Sequence, residues 1–462
     1  MNARWPTPDS AAHSFLKELA ADTAPTRQLR RGRTLGFVYT AWIFALGGGQ
    51  LFTLLLFVML SPNEVGLINI ATASGALVFY VAEGGLETAL VMTAKVTPVD
   101  LRSMTRVVGL VRALTAISLG GVWAVLRLTN AVPGRLSEVL LLVGSALAIR
   151  SLQTPFAVAL QIRNRQGIVS LVSLSSVLVR LGLLALFILS RRVTAESALL
   201  ANLVSEVVGL TVLAAVARSD ASGQLYRNSD RALLVRLLKA APAITASQLT
   251  IIVQGRADWV LVGTLLSYRS LANYALANKG IELILLGGSV LGRNALPWFV
   301  EGWHGSQIRR TIGILLAGSS AAGLLLATVG PMLILRVFGD KYSLAPGVLP
   351  ILAALAPALF LQQILYFAVV GRGGVVDATI VGIFAIVAQI AVDLLTLRRF
   401  GITGAAMGMC AFTGVVTPGM LLAGIRRGVF KLPIATEFGV YALVLPVVVG
   451  LLELSHLIPG TP

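Results

Sequence analysis

Cysteine, histidine and charged residues are all scarce in this chain of 462 residues. The one cysteine, Cys410, excludes a disulfide within the chain. The three histidines, His13, His304 and His456, are far apart in the sequence, which disfavours a zinc site or a histidine-based triad. No glycine-rich phosphate loop ends in Gly-Lys-Ser or Gly-Lys-Thr, so ATP hydrolysis within this chain is not expected. We therefore predict no metal, no cofactor and no catalytic residues.

Hydrophobic residues are abundant, and they indicate a membrane protein. They make up 56% of the chain, while charged residues make up only 12%. A soluble domain contains roughly 45–50% apolar residues. The net charge of +17 comes from basic residues scattered between apolar runs, without the basic patch and interleaved aromatics of a nucleic-acid site. These basic residues indicate membrane topology, and no nucleic-acid partner is predicted.

Apolar runs long enough to cross a bilayer as helices, about 20 residues each, recur along the chain. They begin near Leu35, Val65, Arg106, Leu136, Ile168, Glu196, Ala241, Ser270, Thr311, Ala345, Val375, Ile402 and Ala435. We predict about thirteen transmembrane helices. No connection reaches the roughly 50 residues that a folded extramembrane domain needs.

The basic residues between these runs predict orientation and boundaries. A cytoplasmic N-terminus places the larger share of Lys and Arg on the cytoplasmic side, as the positive-inside rule requires. The basic stretch 218–239 separates two groups of six runs. The predicted domains are a cytoplasmic arm at 1–34, a six-helix lobe at 35–217, a cytoplasmic linker at 218–239, a second six-helix lobe at 240–425 and an additional transmembrane segment at 426–462.

The two halves also show a weak internal repeat. A shift of about 206 residues aligns Gly49 and Gln50 with Gly255 and Arg256, and it superposes the first apolar run on the seventh. An even number of helices in each half gives both halves the same orientation, which is the parallel type of transporter repeat. We expect two six-helix bundles around a central cleft.

Charged residues deep inside apolar runs are the candidate site residues. Arg256 and Asp258 lie within the seventh run, where a charge costs roughly 2.5–3.5 kcal/mol on insertion scales. Residues two apart point to different sides of a helix, so these two side chains need separate partners or a water-filled cavity. Asp258 is therefore a candidate site residue beside Arg256.

Counting residues back from the helix turns gives each charge a depth. Arg150, Arg180 and Glu206 fall at similar depth in the first half, and Arg256 is level with Lys279 in the second. In one interpretation Arg180 pairs with Glu206, and Lys279 pairs with Glu282, to fix helix register. In the other, Arg150, Arg256 and Lys279 line a cleft that binds an anionic headgroup, because guanidinium forms forked hydrogen bonds to phosphate.

Gly47, Gly48 and Gly49, followed by Gln50, lie midway along the first run. Each helical glycine costs up to about 1 kcal/mol relative to alanine, so the triplet predicts either a hinge or close helix packing. In the repeat register the segment aligns with the Arg256 stretch, which adds Gln50 to the candidate substrate-binding residues.

Three further acidic residues, Glu83, Glu87 and Asp393, lie towards the ends of apolar runs. Glu83 and Glu87 share a helix face, and they either bind a proton or cation that couples transport or pair with nearby basic residues. Asp393 lies close to Arg398 and Arg399 in the sequence, so we predict an ion pair at the membrane surface.

Short motifs in a particular order connect the chain with a known family. They are Leu60-Ser61-Pro62-Asn63-Glu64-Val65-Gly66, Gly84-Gly85-Leu86-Glu87-Thr88-Ala89-Leu90, Asp258-Trp259-Val260-Leu261-Val262-Gly263, Leu271-Ala272-Asn273-Tyr274-Ala275-Leu276-Ala277 and Val337-Phe338-Gly339-Asp340-Lys341-Tyr342-Ser343-Leu344-Ala345. Through them the chain resembles, nearly end to end, the polysaccharide-biosynthesis flippases, which export lipid-linked O-antigen and exopolysaccharide units. These belong to the multidrug/oligosaccharidyl-lipid/polysaccharide exporter superfamily. Ala272 stands where that family usually has glycine.

The resemblance implies an all-α polytopic membrane protein of about twelve to fourteen transmembrane helices. Two six-helix bundles, related by pseudo-twofold symmetry, would enclose a cationic cavity that opens alternately to each side while a polyprenyl-pyrophosphate-linked oligosaccharide crosses. The implied location is the bacterial inner membrane, and the implied partners are the lipid-linked glycan, membrane lipids and other polysaccharide assembly proteins.

Three alternatives remain open at this stage. A multidrug/cation antiporter of the same fold would have an acidic cavity, and a peptidoglycan-precursor flippase would be essential for growth. A membrane-embedded glycan enzyme would need a sizeable loop with paired acidic or histidine residues, which this chain lacks.

Overall fold

The computed structural model describes the chain in segments. These are residues 44–45, 47–83, 101–129, 134–162, 165–220, 246, 250, 253–300, 306–372 and 374–429. Within these segments the chain is helical, apart from short turns, and contains no β-strand. The all-α architecture expected from the apolar runs is confirmed.

Six helices make up the described part of the N-terminal half. They are α1 (Gly47–Met59), α2 (Pro62–Glu83), α3 (Leu101–Leu128), α4 (Gly134–Ile162), α5 (Gln166–Leu189) and α6 (Ala195–Asp220). Helices α2, α4, α5 and α6 begin within a few residues of the starts predicted from hydropathy. The apolar runs are therefore continuous helices, as the bilayer requires, because every backbone N–H must find its partner within the segment.

Seven helices follow in the C-terminal half. They are α7 (Ala257–Leu265), α8 (Tyr268–Val300), α9 (Ser306–Phe338), α10 (Ala345–Ala354), α11 (Ala356–Gly371), α12 (Val375–Phe400) and α13 (Ile402–Arg426), with a 3-10 turn at Gly339–Tyr342 between α9 and α10. Helices α10 and α11 meet at a bend of 48°, and we refer to this bent pair as the broken span. The run predicted from Ala435 lies outside the described residues.

Length and hydropathy identify membrane spans among these helices. In the described segments, 6 helices are long and apolar enough to cross a bilayer, or 7 when the bent pair α10–α11 counts as one span. Large hydrophobic side chains such as Leu189, Leu395 and Met332 are exposed on helix surfaces, where lipid replaces water as the solvent. The predicted multi-pass membrane protein is confirmed.

The described residues form two compact units, which meet in the sequence between Ile252 and Val253. In the N-terminal unit, α4 packs against α2, α3 and α6, and α5 packs against α6. In the C-terminal unit, α12 pairs with α13, α8 with α11, and α9 with α10. Most of the predicted linker at 218–239 lies outside the described residues, so the proposed domain boundaries stay a prediction.

Polar side chains at the helix starts explain why the helices begin where they do. Ser61 and Glu64 form a capping box, in which the Ser61 N–H donates to Glu64 Oε2 at 3.2 Å and the Glu64 N–H donates to Ser61 Oγ at 3.3 Å. Arg135 then joins two helix starts, because its guanidinium contacts Glu64 at 3.0 Å and Glu196 at 3.3 Å. Three helices of the N-terminal unit are therefore tied at one end.

The motif at 271–277 has a clear structural role in the C-terminal unit. Its residues are almost completely buried on α8. The Asn273 side chain accepts hydrogen bonds from the backbone N–H groups of Leu344 at 3.0 Å and Ala345 at 3.2 Å, so it caps the start of α10 from a distant helix. The neighbouring Tyr274 hydroxyl contacts Asp258 of α7. One short motif therefore positions both the broken span and the carboxylate of the seventh run.

Candidate functional site

The seventh apolar run is interrupted at the arginine that the sequence analysis singled out. Val253 and Gln254 are helical, Gly255 and Arg256 form a turn, and α7 begins at Ala257. Arg256 has φ −137° and ψ −20°, which lies outside the helical region. Its backbone N–H donates to Val253 O at 3.2 Å, which closes the turn. Arg256 therefore lies at a break between helical segments, an arrangement that membrane proteins use where backbone lines a cavity or is buried in protein.

Trp259, one helical turn after Arg256, organises the cations around it. The ring of Trp259 is almost completely buried, with the Arg256 guanidinium carbon 4.6 Å from the ring centroid and the Lys279 Nζ 5.8 Å from it. Cation–π contacts of this kind contribute about 0.5–1 kcal/mol when exposed and about 2 kcal/mol or more when desolvated. Arg256, at the start of α7, and Lys279, on α8, therefore lie beside the same ring.

The two cations differ in their carboxylate partners. Lys279 Nζ forms an ion pair with Glu282 Oε2 one turn later on the same helix. Within the described residues Arg256 forms no ion pair and no side-chain hydrogen bond, and its side chain is half-buried. The charge of Lys279 is compensated locally, whereas the guanidinium of Arg256 keeps its donors available for a ligand.

Asp258 is completely buried, and both of its oxygens have donors. Oδ1 accepts from the backbone N–H of Trp259 at 2.8 Å, and Oδ2 accepts from the Tyr274 hydroxyl at 2.5 Å. The carboxylate therefore fastens α7 to α8. Asp258 lies inside the protein, away from any exposed surface. Its role in substrate binding stays a prediction.

The N-terminal unit contains a second charged group of residues. Arg180 Nη2 lies 3.2 Å from Glu206 Oε1, and its Nε donates to Ser205 Oγ at 3.2 Å. The Gln153 side-chain amide donates to the other carboxylate oxygen of Glu206 at 2.9 Å. Arg150 is near enough to act electrostatically on Arg180, but it is exposed and has no ion pair among the described residues. The structure thus pairs Arg180 with Glu206 and leaves Arg150 free for a ligand.

The glycine triplet lies inside a helix. Gly47, Gly48 and Gly49 belong to α1, and the Thr53 hydroxyl donates to Gly49 O at 3.0 Å. A Cβ on Gly48 would lie 2.5 Å from Val177 Cγ1 of α5, whereas none on Gly47 or Gly49 would approach another atom within 4 Å. Close packing therefore accounts for Gly48. The hinge stays a prediction that Gly47 and Gly49 can test.

Three further predicted residues, Gln50, Glu83 and Glu87, belong to the N-terminal half. Gln50 is half-buried, and its Oε1 has no hydrogen-bond partner in the described part of the chain. Glu83 is the last residue of α2, its side chain is outside the description, and Glu87 is outside the described residues altogether. Their proposed role in ion coupling stays a prediction.

The predicted surface ion pair of Asp393 is wrong. Asp393 is completely buried on α12, and neither of its carboxylate oxygens has a partner within the described segments. Sequence proximity to Arg398 and Arg399 was misleading, because five and six residues along a helix rotate those side chains away and carry them at least one turn further. Asp393 points towards α13, where a Cβ on Gly408 would lie only 1.8 Å from Oδ1.

A buried amide pair links the Arg256 turn to the broken span. Gln254 and Gln362 donate to each other through their side-chain amides, at 3.5 Å and 3.2 Å. Gln254 comes two residues before Arg256, and Gln362 lies on α11 just beyond the bend. The sequence analysis missed both residues. Glutamine within an apolar run was the available signal, but no pattern in the sequence connects positions so far apart.

The described residues hold no group of three or more His, Cys, Asp or Glu side chains that could hold a metal ion. A guanidinium at a break in a span, without a carboxylate partner among the described residues, is suited to anionic oxygens.

Comparison with solved structures identifies the fold. The lipid II flippase MurJ in an inward closed conformation matches with a TM-score of 0.66 and 13% sequence identity, covering 90% of this chain and 92% of that chain. An inward-facing multidrug resistance MATE family transporter of the MOP superfamily matches with a TM-score of 0.61 and 14% identity, covering 84% and 94%. The Vibrio cholerae MATE transporter VcmN in the bent form matches at 0.55 and 15%, covering 94% and 100%. The fold is that of a membrane transporter.

The family follows from the sequence itself. A model of the family described as "Polysaccharide biosynthesis protein" matches residues 55–291, a little over half of the chain, so this chain belongs to that family. No curated protein matches the chain in sequence. The predicted resemblance and the predicted fold class are confirmed. The chain is a multi-pass membrane protein of a polysaccharide biosynthesis family, and it has the fold of the MurJ and MATE structures.

Proposed function

We propose that this protein is a flippase of the bacterial inner membrane, with its N-terminus in the cytoplasm. Its substrate is a polyprenyl-pyrophosphate-linked oligosaccharide, the repeat unit of a polysaccharide, which it moves from the cytoplasmic to the outer leaflet by alternating access. The family supports the polysaccharide substrate class, and the basic residues between the spans support the orientation.

The proposal rests on Arg256, whose guanidinium has no carboxylate partner within the described residues. A guanidinium without a carboxylate partner is costly in a membrane span, so a site that keeps one has a reason to bind anions. The Arg256 guanidinium lies over the Trp259 ring and donates no hydrogen bond within the described residues, so its N–H groups are available for a ligand. A pyrophosphate presents oxygens spaced for two parallel N–H donors of one guanidinium. Arg256 is therefore the residue we assign to the pyrophosphate.

Arg150, Gln50 and Lys279 have smaller roles in the proposed binding of the substrate. Arg150 on α4, which has no carboxylate partner within the described residues, offers a second guanidinium, and we assign it to the same headgroup at another stage of transport. The Gln50 amide oxygen has no donor in the described part of the chain, so it can accept a hydrogen bond from a sugar hydroxyl. Lys279, which pairs with Glu282, places a second cation near Trp259.

The energetics permit transport without ATP. An inside-negative potential drives a negatively charged headgroup outward, with a gain of about 2.3 kcal/mol per charge per 100 mV. A pyrophosphate diester carries about two such charges. The membrane potential alone therefore favours outward movement of the headgroup, and ion coupling would add to it.

The test uses a deletion strain of the host complemented from a plasmid. Mass spectrometry measures polyprenyl-pyrophosphate-linked glycan in strains carrying the wild type, Arg256→Ala, Arg256→Lys or the control Arg192→Ala. Arg192 is exposed at the turn between α5 and α6, so it controls for loss of one positive charge. Membrane abundance of each variant is measured on the same samples.

We expect repeat units to accumulate in the deletion strain and in Arg256→Ala, at normal abundance, and to be cleared by the wild type and Arg192→Ala. Arg256→Lys should clear them partially, because lysine keeps the charge and loses the fork. Absence of any accumulated lipid-linked glycan contradicts the flippase. Drug susceptibility that changes with the deletion would then indicate an antiporter, and lethality of the deletion would indicate a peptidoglycan-precursor flippase.

A further inference from the structure

A buried pair of side-chain amides lies next to the Arg256 turn, and the proposed function gives it no role. Gln254 and Gln362 are both buried. The Gln362 amide donates to Gln254 Oε1 at 3.2 Å, and the Gln254 amide donates to Gln362 Oε1 at 3.5 Å. Each glutamine therefore finds a donor and an acceptor in the other, so both polar groups are hydrogen-bonded inside an apolar core.

Contacts on both sides of the Arg256 turn fix its path. Gln254 lies before the turn, and Val253 packs against the hydrophobic cluster formed by α9, α11, α12 and α13. The Arg256 N–H donates to Val253 O at 3.2 Å. After the turn, the buried ring of Trp259 lies 4.6 Å from the Arg256 guanidinium carbon. A displacement of Gln254 would therefore move Arg256 relative to this ring.

The partner of Gln254 lies on a helix of the hydrophobic core. Around Gln362, the side chains of Leu361, Ile364 and Leu365 are almost completely buried. Helix α11 packs against α8, which carries Lys279, and against α13. Close packing of this kind leaves little freedom for the helix to shift. Helix α11 is therefore a fixed support for a neighbouring turn.

The bend between α10 and α11 also fixes the start of this support. Pro357 has no N–H, so Ala353 O lacks the donor that a continuous helix would supply from position 357. Helix α9 lies directly against this carbonyl, because a Cβ on Gly323 would be 2.6 Å from Ala353 O. Close contact with the α9 backbone therefore holds the bend from which α11 begins.

Two leucines would fill a similar volume without any buried polar group, so packing alone does not require the amide pair. Contact between apolar side chains has no preferred direction, whereas a hydrogen bond has a defined length and direction. Buried polar networks whose members are all satisfied specify one arrangement of the core. The pair therefore suits a place where the position of the backbone matters. Two residues after Gln254 comes Arg256, which has no carboxylate partner among the described residues.

We propose that Gln254 and Gln362 are positioning residues of the anion site. Their amide pair fastens the Arg256 turn to α11 and so holds the Arg256 guanidinium where a pyrophosphate can reach it. This inference rests on the proposed function. Neither glutamine contacts the substrate, and both act through the backbone that carries Arg256.

The first experiment measures backbone hydrogen exchange by mass spectrometry on the purified full-length protein in detergent, without ligand. It compares the wild type, Gln362→Leu, the double variant Gln254→Leu with Gln362→Leu, and the control Gln363→Leu. Gln363 is the next residue of α11, half-buried and outside the pair, so it receives the same substitution on the same helix. The N–H groups of Arg256 and Val260, which bond to Val253 O and Arg256 O, report on the turn.

We expect these two N–H groups to exchange faster in both variants that lack the pair, and at the wild-type rate in Gln363→Leu. The double variant is decisive, because it has no unsatisfied amide and should melt close to the wild type. Exchange in α12 and α13 should be unchanged. Unchanged exchange of the turn in the double variant overturns the proposal, and so does faster exchange throughout the C-terminal unit, which would mean a general structural role.

The second experiment measures the affinity of the same proteins for farnesyl pyrophosphate, a short isoprenoid pyrophosphate, with farnesol as the uncharged control ligand. We expect the double variant to bind farnesyl pyrophosphate about 5-fold more weakly or worse, since 5-fold is the lower end of typical couplings between sites. Farnesol should bind to it as to the wild type, and Gln363→Leu should bind both ligands normally. Wild-type affinity of the double variant for farnesyl pyrophosphate overturns the proposal.

A mutant cycle with Arg256→Ala shows whether the pair acts through the arginine. In that background, removal of the pair should cause no further loss of affinity, because the group that it positions is absent. A further loss as large as in the wild-type background would mean another route and would overturn the proposal.

The same cycle separates this inference from the proposed function. Normal binding of farnesyl pyrophosphate by Arg256→Ala would refute the anion site itself, and the positioning role with it. Loss of binding in Arg256→Ala together with normal binding in the double glutamine variant would refute the positioning role alone.

Discussion

The guanidinium of Arg256 lies over the ring of Trp259, with 4.6 Å between the guanidinium carbon and the ring centroid. Both residues belong to the same interrupted span, one at the end of the turn and the other within the first turn of α7. Trp259 is buried by the surrounding helices, so its ring has a fixed position. The ring therefore holds a flexible, charged side chain in place at a break in the helix.

Two replacements of Trp259 should separate the effect of its aromatic face on glycan export from the effect of its side-chain volume. Trp259→Phe keeps a weaker π face, and Trp259→Leu removes it, while both leave a cavity at a buried site. We expect both variants to lose stability and Trp259→Leu to lose clearly more glycan export per molecule than Trp259→Phe. The measurement is lipid-linked glycan accumulation normalised to membrane abundance. Equal export per molecule would show that the ring does not position Arg256.

The glycines of α1 offer a test of hinge against packing. Gly48→Ala places a Cβ 2.5 Å from Val177, and overpacking of this kind costs about 1–3 kcal/mol. Gly49→Ala meets open space and replaces glycine with the best helix former, which stabilises by up to about 1 kcal/mol. Thermal unfolding in detergent should therefore show opposite shifts for the two variants.

Export measured on the same variants decides whether the hinge exists. If α1 bends during transport, Gly47→Ala and Gly49→Ala should reduce export although they stabilise the protein. Normal export by both would refute the hinge and leave packing at Gly48 as the whole explanation of the triplet.

The pair formed by Arg180 and Glu206 should behave as a structural ion pair. Glu206→Leu leaves a mostly buried guanidinium without its carboxylate, a change that generally costs about 3–5 kcal/mol. A double replacement, Arg180→Met with Glu206→Leu, removes both charges and should recover most of that loss. Thermal unfolding in detergent measures both effects. A double variant no more stable than Glu206→Leu alone would contradict a purely structural role.

Replacement of Arg150 provides a comparison for the stability effect of the Arg180–Glu206 pair. It is exposed on α4 and has no carboxylate partner in the described segments, so Arg150→Gln should change the melting temperature little. If Arg150 contacts the headgroup, the same variant should accumulate lipid-linked glycan. A large loss of stability would instead show that Arg150 supports the fold.

The amides of Gln254 and Gln362 should show strong coupling in a double-mutant cycle. Gln362→Leu leaves the buried Gln254 amide without its partner, which costs about 1–3 kcal/mol. Replacing both residues by leucine removes the unsatisfied groups and should be close to neutral. Thermal unfolding of the four proteins gives the coupling energy. Simple additivity of the two single changes would mean that the pair does not stabilise the contact between the Arg256 turn and α11.

Much of the fold could be predicted because hydropathy is a local property. The apolar runs near Val65, Ile168 and Val375 became helices that begin within a few residues of their predicted starts. Counting along two helices from a shared turn also placed Arg180 level with Glu206, and Arg256 level with Lys279. Such counting works because an α-helix rises by a constant amount per residue.

The remaining features depend on contacts between distant residues. Asp393 was assigned to a surface ion pair because its basic neighbours were close in sequence, whereas the structure buries it against Gly408. Gln254 and Gln362 pair across a long stretch of chain. Nothing in the composition of a single span indicates which polar residue of another span it will meet.

The sequence by itself determined that this chain is an α-helical membrane protein, because burial in lipid requires long apolar segments whose hydrogen bonds are internal. It also determined the family, through motifs such as the run at 271–277, whose residues tie α8 to α7 and α10. Only the tertiary structure decided which charges are paired and which are free. Arg180 and Lys279 have carboxylate partners, while Arg256 has none in the described segments. The reason is physical: apart from a partner on its own helix, such as Glu282 for Lys279, a charge in a membrane protein is stabilised by whatever a neighbouring helix brings to the same depth, and packing sets that neighbour.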